Sequence, residues 1–182
     1  MALTATMAAS RSPPSVSDTD AMKASMARFA PPATQMLFEV KVAPTTKEPG
    51  PTDAAMMGFP AAEFKGKPMV RYDVLYTLPV EQIAFSDGVN GTRNGSVEFD
   101  VVASDVFGKL ITSVSRTMQF PLTADEYAEF VKTPFRFFQQ IDLPAGQVYV
   151  RVGVLDGVSK KVGTVEVPLT VAKGGGVVEA GR

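Results

Sequence analysis

The sequence predicts an all-β, immunoglobulin-like antiparallel β-sandwich with one short crossover helix and an extended N-terminal arm. Three observations carry this. Of the 24 valines, 21 follow residue 69. They alternate with polar residues at period 2, as in strands that bury one face. Gly- and Asn-rich turns divide the alternation at intervals suited to hairpins. At or before residue 69 lie nine of the 14 prolines and eight of the nine methionines, which suits an arm better than a sheet. The divisions are an arm over 1–34, a sandwich over 35–172 that contains a Pro-rich loop at 44–68, and a flexible tail over 173–182.

In the arm, Ser17 or Asp18 caps a short helix over 18–29 that places Met22, Met26 and Phe29 on one face, and Pro31 and Pro32 end it. Gln35 to Ala43 alternates Met36, Phe38, Val40 and Val42 against polar neighbours and is the first strand. The loop 44–68 holds five prolines and is too long for an idle connection. Its Met56, Met57, Phe59 and Phe64 call for packing against the body or a partner.

Strands then follow in succession. MVRYDVLYTL sets Val70, Tyr72, Val74, Tyr76 and Leu78 on one face, and VEQIAF continues it after Pro79. SDGVNGTRNGS is a loop. SVEFDVVAS and KLITSVSRTMQF form a hairpin about Asp105 to Gly108. Thr123 and Glu126 make a capping box that opens a helix between the sheets. FRFFQQIDL, QVYVRVGVL and TVEVPLTV complete seven or eight strands, with Val148, Val150, Val152 and Val154 facing Val165, Val167, Leu169 and Val171.

The chain has 182 residues, 45% hydrophobic and 20% charged, with a net charge of −1. That is one domain of ordinary size, without the basic field that nucleic acid or anionic membranes attract. With no Cys and no His, disulfides, thiol nucleophiles, His bases and the common zinc and haem sites are excluded. No cofactor is implied. MALTATMAASRSPPS lacks the basic and apolar regions of a secretory signal. No run approaches the ~18 apolar residues of a membrane span.

The remaining motifs assemble no catalytic or binding signature. Gly66-Lys67 and Gly108-Lys109 lack the hydroxyl and the strand-to-helix setting of a phosphate loop. Gly157 to Lys160 lacks the second glycine of a nucleophile elbow. Asp73, Glu98, Asp100, Asp142 and Glu166 are acidic positions on strands, and they read as solubilising charges rather than a catalytic pair. Asp87, Asn90, Asp105 and Asp156 offer oxygen ligands in loops but form no calcium-binding run. Asn90-Gly91 and Asn94-Gly95 fit both a glycosylation pattern and tight turns, and the turn accounts for them. There is no Trp, and the alternation of Phe135, Phe137 and Phe138 leaves at most one exposed ring.

The closing hairpin, Ile141 to Asp156 followed by Lys161 to Leu169, resembles that of bacterial von Willebrand factor A-related proteins of the type abundant in Acidobacteria. Tyr72-Asp73-Val74 to Phe85, the Asp87-Gly88 loop, Ser96 to Ser104, Phe107-Gly108-Lys109 and Leu122 to Val131 follow that region in order, and Phe29 to Pro44 resembles the segment leading into it. The A domain, with its Asp-x-Ser-x-Ser metal site, is absent, so no metal-dependent adhesion role carries over. The resemblance implies an exported, non-enzymatic module of the cell envelope or extracellular space with no catalytic residues to transfer.

The expected function is protein–protein interaction or structural assembly. A carbohydrate-binding module is the first alternative and a carboxylate-dependent enzyme the second. The expected interface is Met22, Met26, Phe29, Met56, Met57 and Phe59, which either fold back on their own sandwich or, the favoured reading, reach a protein partner or a second copy as a docking patch or by adding a strand to an open sheet edge.

Overall fold

The computed structural model describes residues 16–45, 57–64 and 67–172. In chain order the elements are α1 (Val16–Ser25), β1 (Glu39–Pro44), β2 (Met57–Pro60), β3 (Met69–Leu78), β4 (Ser86–Asp87), β5 (Arg93–Asp105), β6 (Leu110–Leu122), α2 (Ala124–Phe130), β7 (Phe135–Pro144), β8 (Gly146–Asp156) and β9 (Val162–Val171). One sheet has the order β1-β3-β7 and the other β6-β5-β8-β9, with β4 beside the start of β5. The result is an all-β sandwich with a short crossover helix, as the alternation predicts.

The inward face of each long strand is the one its period-2 pattern marks. On β3, Tyr72, Val74, Tyr76 and Leu78 are buried, and on β5, Val97, Phe99, Val101 and Ala103 are fully enclosed. Val148, Val150, Val152 and Val154 meet them from β8. The β8–β9 register pairs Val148 with Leu169, Val150 with Val167 and Val152 with Val165. Each such side chain, buried, contributes about 1.5–3 kcal/mol. At the centre, the Tyr76 and Phe99 rings lie 4.9 Å apart, edge to face, and Phe99 and Phe137 lie 4.4 Å apart. Gln139 carries a polar side chain into this core. It accepts a 2.6 Å hydrogen bond from the Tyr76 hydroxyl and donates to the Phe99 carbonyl at 3.1 Å, which satisfies groups that would otherwise be costly to bury.

The chain changes sheets from β3 to β4, from β6 to β7 and from β7 to β8. Between β6 and β7, α2 begins at the predicted capping box, in which Thr123 accepts from the Glu126 amide and Glu126 accepts from the Thr123 amide. Phe130 of α2 packs on Phe120 and Phe135 at 5.2 and 5.9 Å, seating the crossover on both sheets. From β7 to β8 the chain turns within Pro144 to Gly146. Gly146 has φ +124°, which glycine adopts without a Cβ penalty.

Several expectations are corrected. The loop 44–68 contains β2, which pairs in parallel with β7 through Met57 and Gly58, and antiparallel with β6 through Phe59 and Pro60, so it joins the two sheets along one side. Four residues with partners on both edges are too short for a readable alternation. The strand predicted over 35–43 begins at Glu39, because Thr34 bridges Gly163 in the other sheet and the chain must cross between layers before joining β3. VEQIAF does not extend β3. Pro79 ends the ladder and Val80–Gln82 forms a 3₁₀ turn that buries Val80 and Ile83 instead. Only part of SDGVNGTRNGS is a loop, since β5 already starts at Arg93 and pairs there with Leu122.

The helix runs over Val16–Ser25 rather than to residue 29. After Ser25 the backbone tightens to i→i−3 bonds, Ala27 to Ala24 and Ala30 to Ala27. Phe29 then takes φ +65°, a left-handed conformation that ends helical winding before Pro31.

Candidate functional site

The arm docks on its own sandwich. Met22 and Met26 are buried against Leu155, Val162, Ala33 and Val102 on the outer face of the β5-β8-β9 sheet. Arg151 on β8, 5% exposed, fixes the position. It donates to the carbonyls of Ser25 and Ala30 at 2.7 Å and of Pro31 at 3.1 Å, and it stands 3.7 Å from the Glu166 carboxylate. The Ala33 carbonyl and the Gln35 and Met36 amides bond to the start of β9. The expectation that Met22 and Met26 reach a partner is therefore corrected. An amphipathic pair on a short helix needs an apolar surface, and the chain supplies one itself.

Phe29 does not share that face. Its ring is 79% exposed, because the helix ends before the turn that would have carried it inward. Met56 lies outside the described residues, as do the side chains of Met57 and Phe59, whose backbones belong to β2.

Phe29 instead belongs to an end of the sandwich, beside Arg28. Arg28 lays its guanidinium 3.9 Å from the Tyr149 ring centroid and 4.6 Å from that of Phe29, and donates to the Ser104 hydroxyl at 3.1 Å. Beside it is the tip of the β5–β6 hairpin, where Asp105 accepts from the amides of Phe107 and Lys109 and Gly108 turns at φ +81°. That turn holds Phe107 outward, 90% exposed, with Val106 and Leu110 also exposed. A crevice of about 190 Å³ runs between arm and hairpin, lined by Arg28, Ser104, Gly108, Leu110, Arg151 and Glu166. The available signal was the turn itself: Val106-Phe107 places two large apolar residues where turns ordinarily carry polar ones.

A second surface lies on the outer face of β1-β3-β7. Leu75 and Phe138 are paired across the strands and partly exposed, forming the floor of a groove of about 420 Å³ rimmed by Glu39, Lys41, Thr77 and Arg136. Phe138 is the exposed ring of its segment, while Phe137 is buried and Phe135 half-buried, as the alternation requires.

The strand carboxylates are engaged locally. Asp142 pairs with Arg71 at 3.0 Å, Asp73 accepts from Thr45 and Gln140, and Glu166 faces Arg151. Asp100 has its carboxyl raised above the ordinary range by burial, against the opposing hydrogen bond of Ser115, and one of its oxygens is buried without a partner. In the loops, Asp87 pairs with Arg93, Asp105 holds the hairpin tip, and Asp156 accepts from the Ser159 amide and hydroxyl. Asn90 and Gly91 take φ +58° and +75°, the geometry of a turn. Among the described residues no acidic group could gather a metal ion, and no helix is long and apolar enough to cross a membrane.

The open side of the sandwich lies between β1 and β9. Thr45 donates inward to Arg71, so the adjacent Pro44 turns its backbone outward; Thr164 donates outward to Ala33, so Glu166, Pro168 and Thr170 also face outward. The β1 edge and the stretch of the β9 edge beyond the arm thus each present a proline, which has no N–H to offer an added strand.

No family model matches the chain, and no curated protein matches it. Among solved structures, the X-ray structure of Northeast Structural Genomics Consortium target SoR45 is similar at 12% identity, over 82% of this chain and 95% of that one, with a TM-score of 0.36.

Proposed function

We propose that the chain is a non-enzymatic, extracytoplasmic β-sandwich module that works by protein–protein contact, and that its contact surface is the end formed by Phe29, Val106, Phe107 and Leu110. The observation that carries this reading is Phe107, held at 90% exposure by a turn tied down through Asp105. A rigid, exposed aromatic is the kind of anchor that dominates protein interfaces. Placement outside the cytoplasm rests on the likeness of the closing hairpin to von Willebrand factor A-related bacterial proteins. The edge prolines favour side-chain docking over strand addition.

A carbohydrate-binding reading is favoured by the other face, where Phe138 and Leu75 offer an apolar floor inside a polar rim. Photo-crosslinking separates the two. With benzoylphenylalanine at position 107 or at 138, the contact reading expects a discrete protein adduct from 107 and none from 138. Saturable hits on a glycan array, abolished by Phe138→Ala, would move the assignment to the groove.

A further inference from the structure

We infer that the crevice beside Arg28 receives a carboxylate of the partner protein, an Asp or Glu side chain carried between apolar residues. This rests on the contact reading and gives that surface its chemistry. Arg71, Arg93 and Arg151 each face a carboxylate, whereas Arg28 has Ser104 as its hydrogen-bond acceptor, and its Nε is buried with no partner. A guanidinium presents five donors and recognises a carboxylate through two of them side by side; Arg28 lines the crevice and commits a terminal nitrogen only to a neutral hydroxyl. A carboxylate entering the crevice would give this cation the anionic partner that Arg71, Arg93 and Arg151 already have.

The site is preorganised. Stacking on Tyr149 at 3.9 Å holds the guanidinium plane, and the bond to Ser104 sets its rotation. Glu166, on the crevice wall, decides the charge of the guest. It stands 3.7 Å from Arg151, leaving one positive charge in excess, which suits a monoanion and opposes a phosphate dianion. Phe29, Phe107 and Leu110 surround the mouth with exposed apolar surface, which calls for apolar residues on both sides of the acid.

The test uses the full chain and two synthetic octapeptides, one with a single central Glu between Leu and Val pairs and its twin with Gln, followed through the Arg28 Nε–H resonance. The Glu peptide is expected to shift that resonance and bind about tenfold more tightly than its twin. Arg28→Gln erases the preference, Arg28→Lys reduces it, and Phe107→Ala weakens both peptides alike. Melting curves of each variant confirm folding. Equal binding of the twins would overturn carboxylate recognition while leaving the contact surface standing. Saturation by acetate alone at the peptide's concentration would also overturn it, assigning the crevice to small anions. Binding of neither peptide, with a crosslink still formed from position 107, would sink the inference alone, whereas loss of that crosslink as well would sink the contact reading.

Discussion

Gly153 and Met26 meet where β8 passes beneath the arm: a Cβ on Gly153 would stand 2.5 Å from the Met26 sulfur and 2.6 Å from the Met22 methyl. Ten residues further on, Gly163 passes so close to Met36 that a Cβ would overlap its carbonyl. The two glycines differ in what they meet. At Gly153 the obstacle is the end of a flexible side chain, but at Gly163 it is backbone held by the bonds to Val162. Gly163→Ala should therefore cost about 1–3 kcal/mol and Gly153→Ala under about 1. Chemical denaturation of the two variants checks the order, and a larger loss at Gly153 would contradict the docking geometry.

Arg151→Leu removes three hydrogen bonds to arm carbonyls and leaves Glu166 half-buried without its cation. A loss of about 2–4 kcal/mol is expected. Amide exchange should accelerate over residues 21–36 before the strands are affected. Uniform acceleration across β5 and β8 would mean that the arm is not a separable layer.

Val152 is fully enclosed between the sheets, and Val152→Asp places an unpaired charge there. The variant should fail to fold. A melt like that of the parent would mean that β8 faces the other way.

Most strands were legible because a sandwich strand buries one face and solvates the other, so Val148 to Val154 and Val97 to Ala103 could be assigned from spacing alone. The arm was half legible. Met22 and Met26 were correctly placed on one helix face, but their target was marked only indirectly, by Gly153 and Gly163 interrupting valine-rich strands and by Arg151 within one of them. Glycine inside a strand often marks close backbone approach, and here it marked the arm. Arg28 gave no signal at all, since its role depends on Tyr149 and Ser104, which lie far away in sequence.

The half-buried Asp100 and the buried Tyr76 make stability depend on pH in opposite branches of the titration. Burial raises Asp100 in the folded state, so the fold binds its proton more tightly than the unfolded chain. That contribution is present in acid and lost as pH rises from the ordinary carboxylate value through the raised one. Asp100→Asn should thus raise Tm at pH 7, with the gain vanishing near pH 3. A lower Tm at pH 7 would contradict the buried, incompletely paired carboxylate.

Tyr76 is raised well above 10, first by burial and then by the charge of Asp100. Its contribution is intact below the ordinary phenol value and lost at higher pH. Tyr76→Phe should cost about 1–2 kcal/mol at pH 7 through the lost bond to Gln139 and flatten the fall in stability above pH ~10. An unchanged alkaline slope would mean that Tyr76 is not a source of it.

The contact surface is tested most directly by a photo-crosslinker at position 29 in two chains, one otherwise unchanged and one carrying Phe107→Asp. Because Phe29 and Phe107 flank the same Arg28 crevice, the discrete protein adduct formed at position 29 should disappear in the Phe107→Asp chain. Its melt should stay within about 1 °C, since a residue this exposed supports little of the fold. An adduct of undiminished yield from the folded Phe107→Asp chain would contradict a single contact surface at this end of the sandwich.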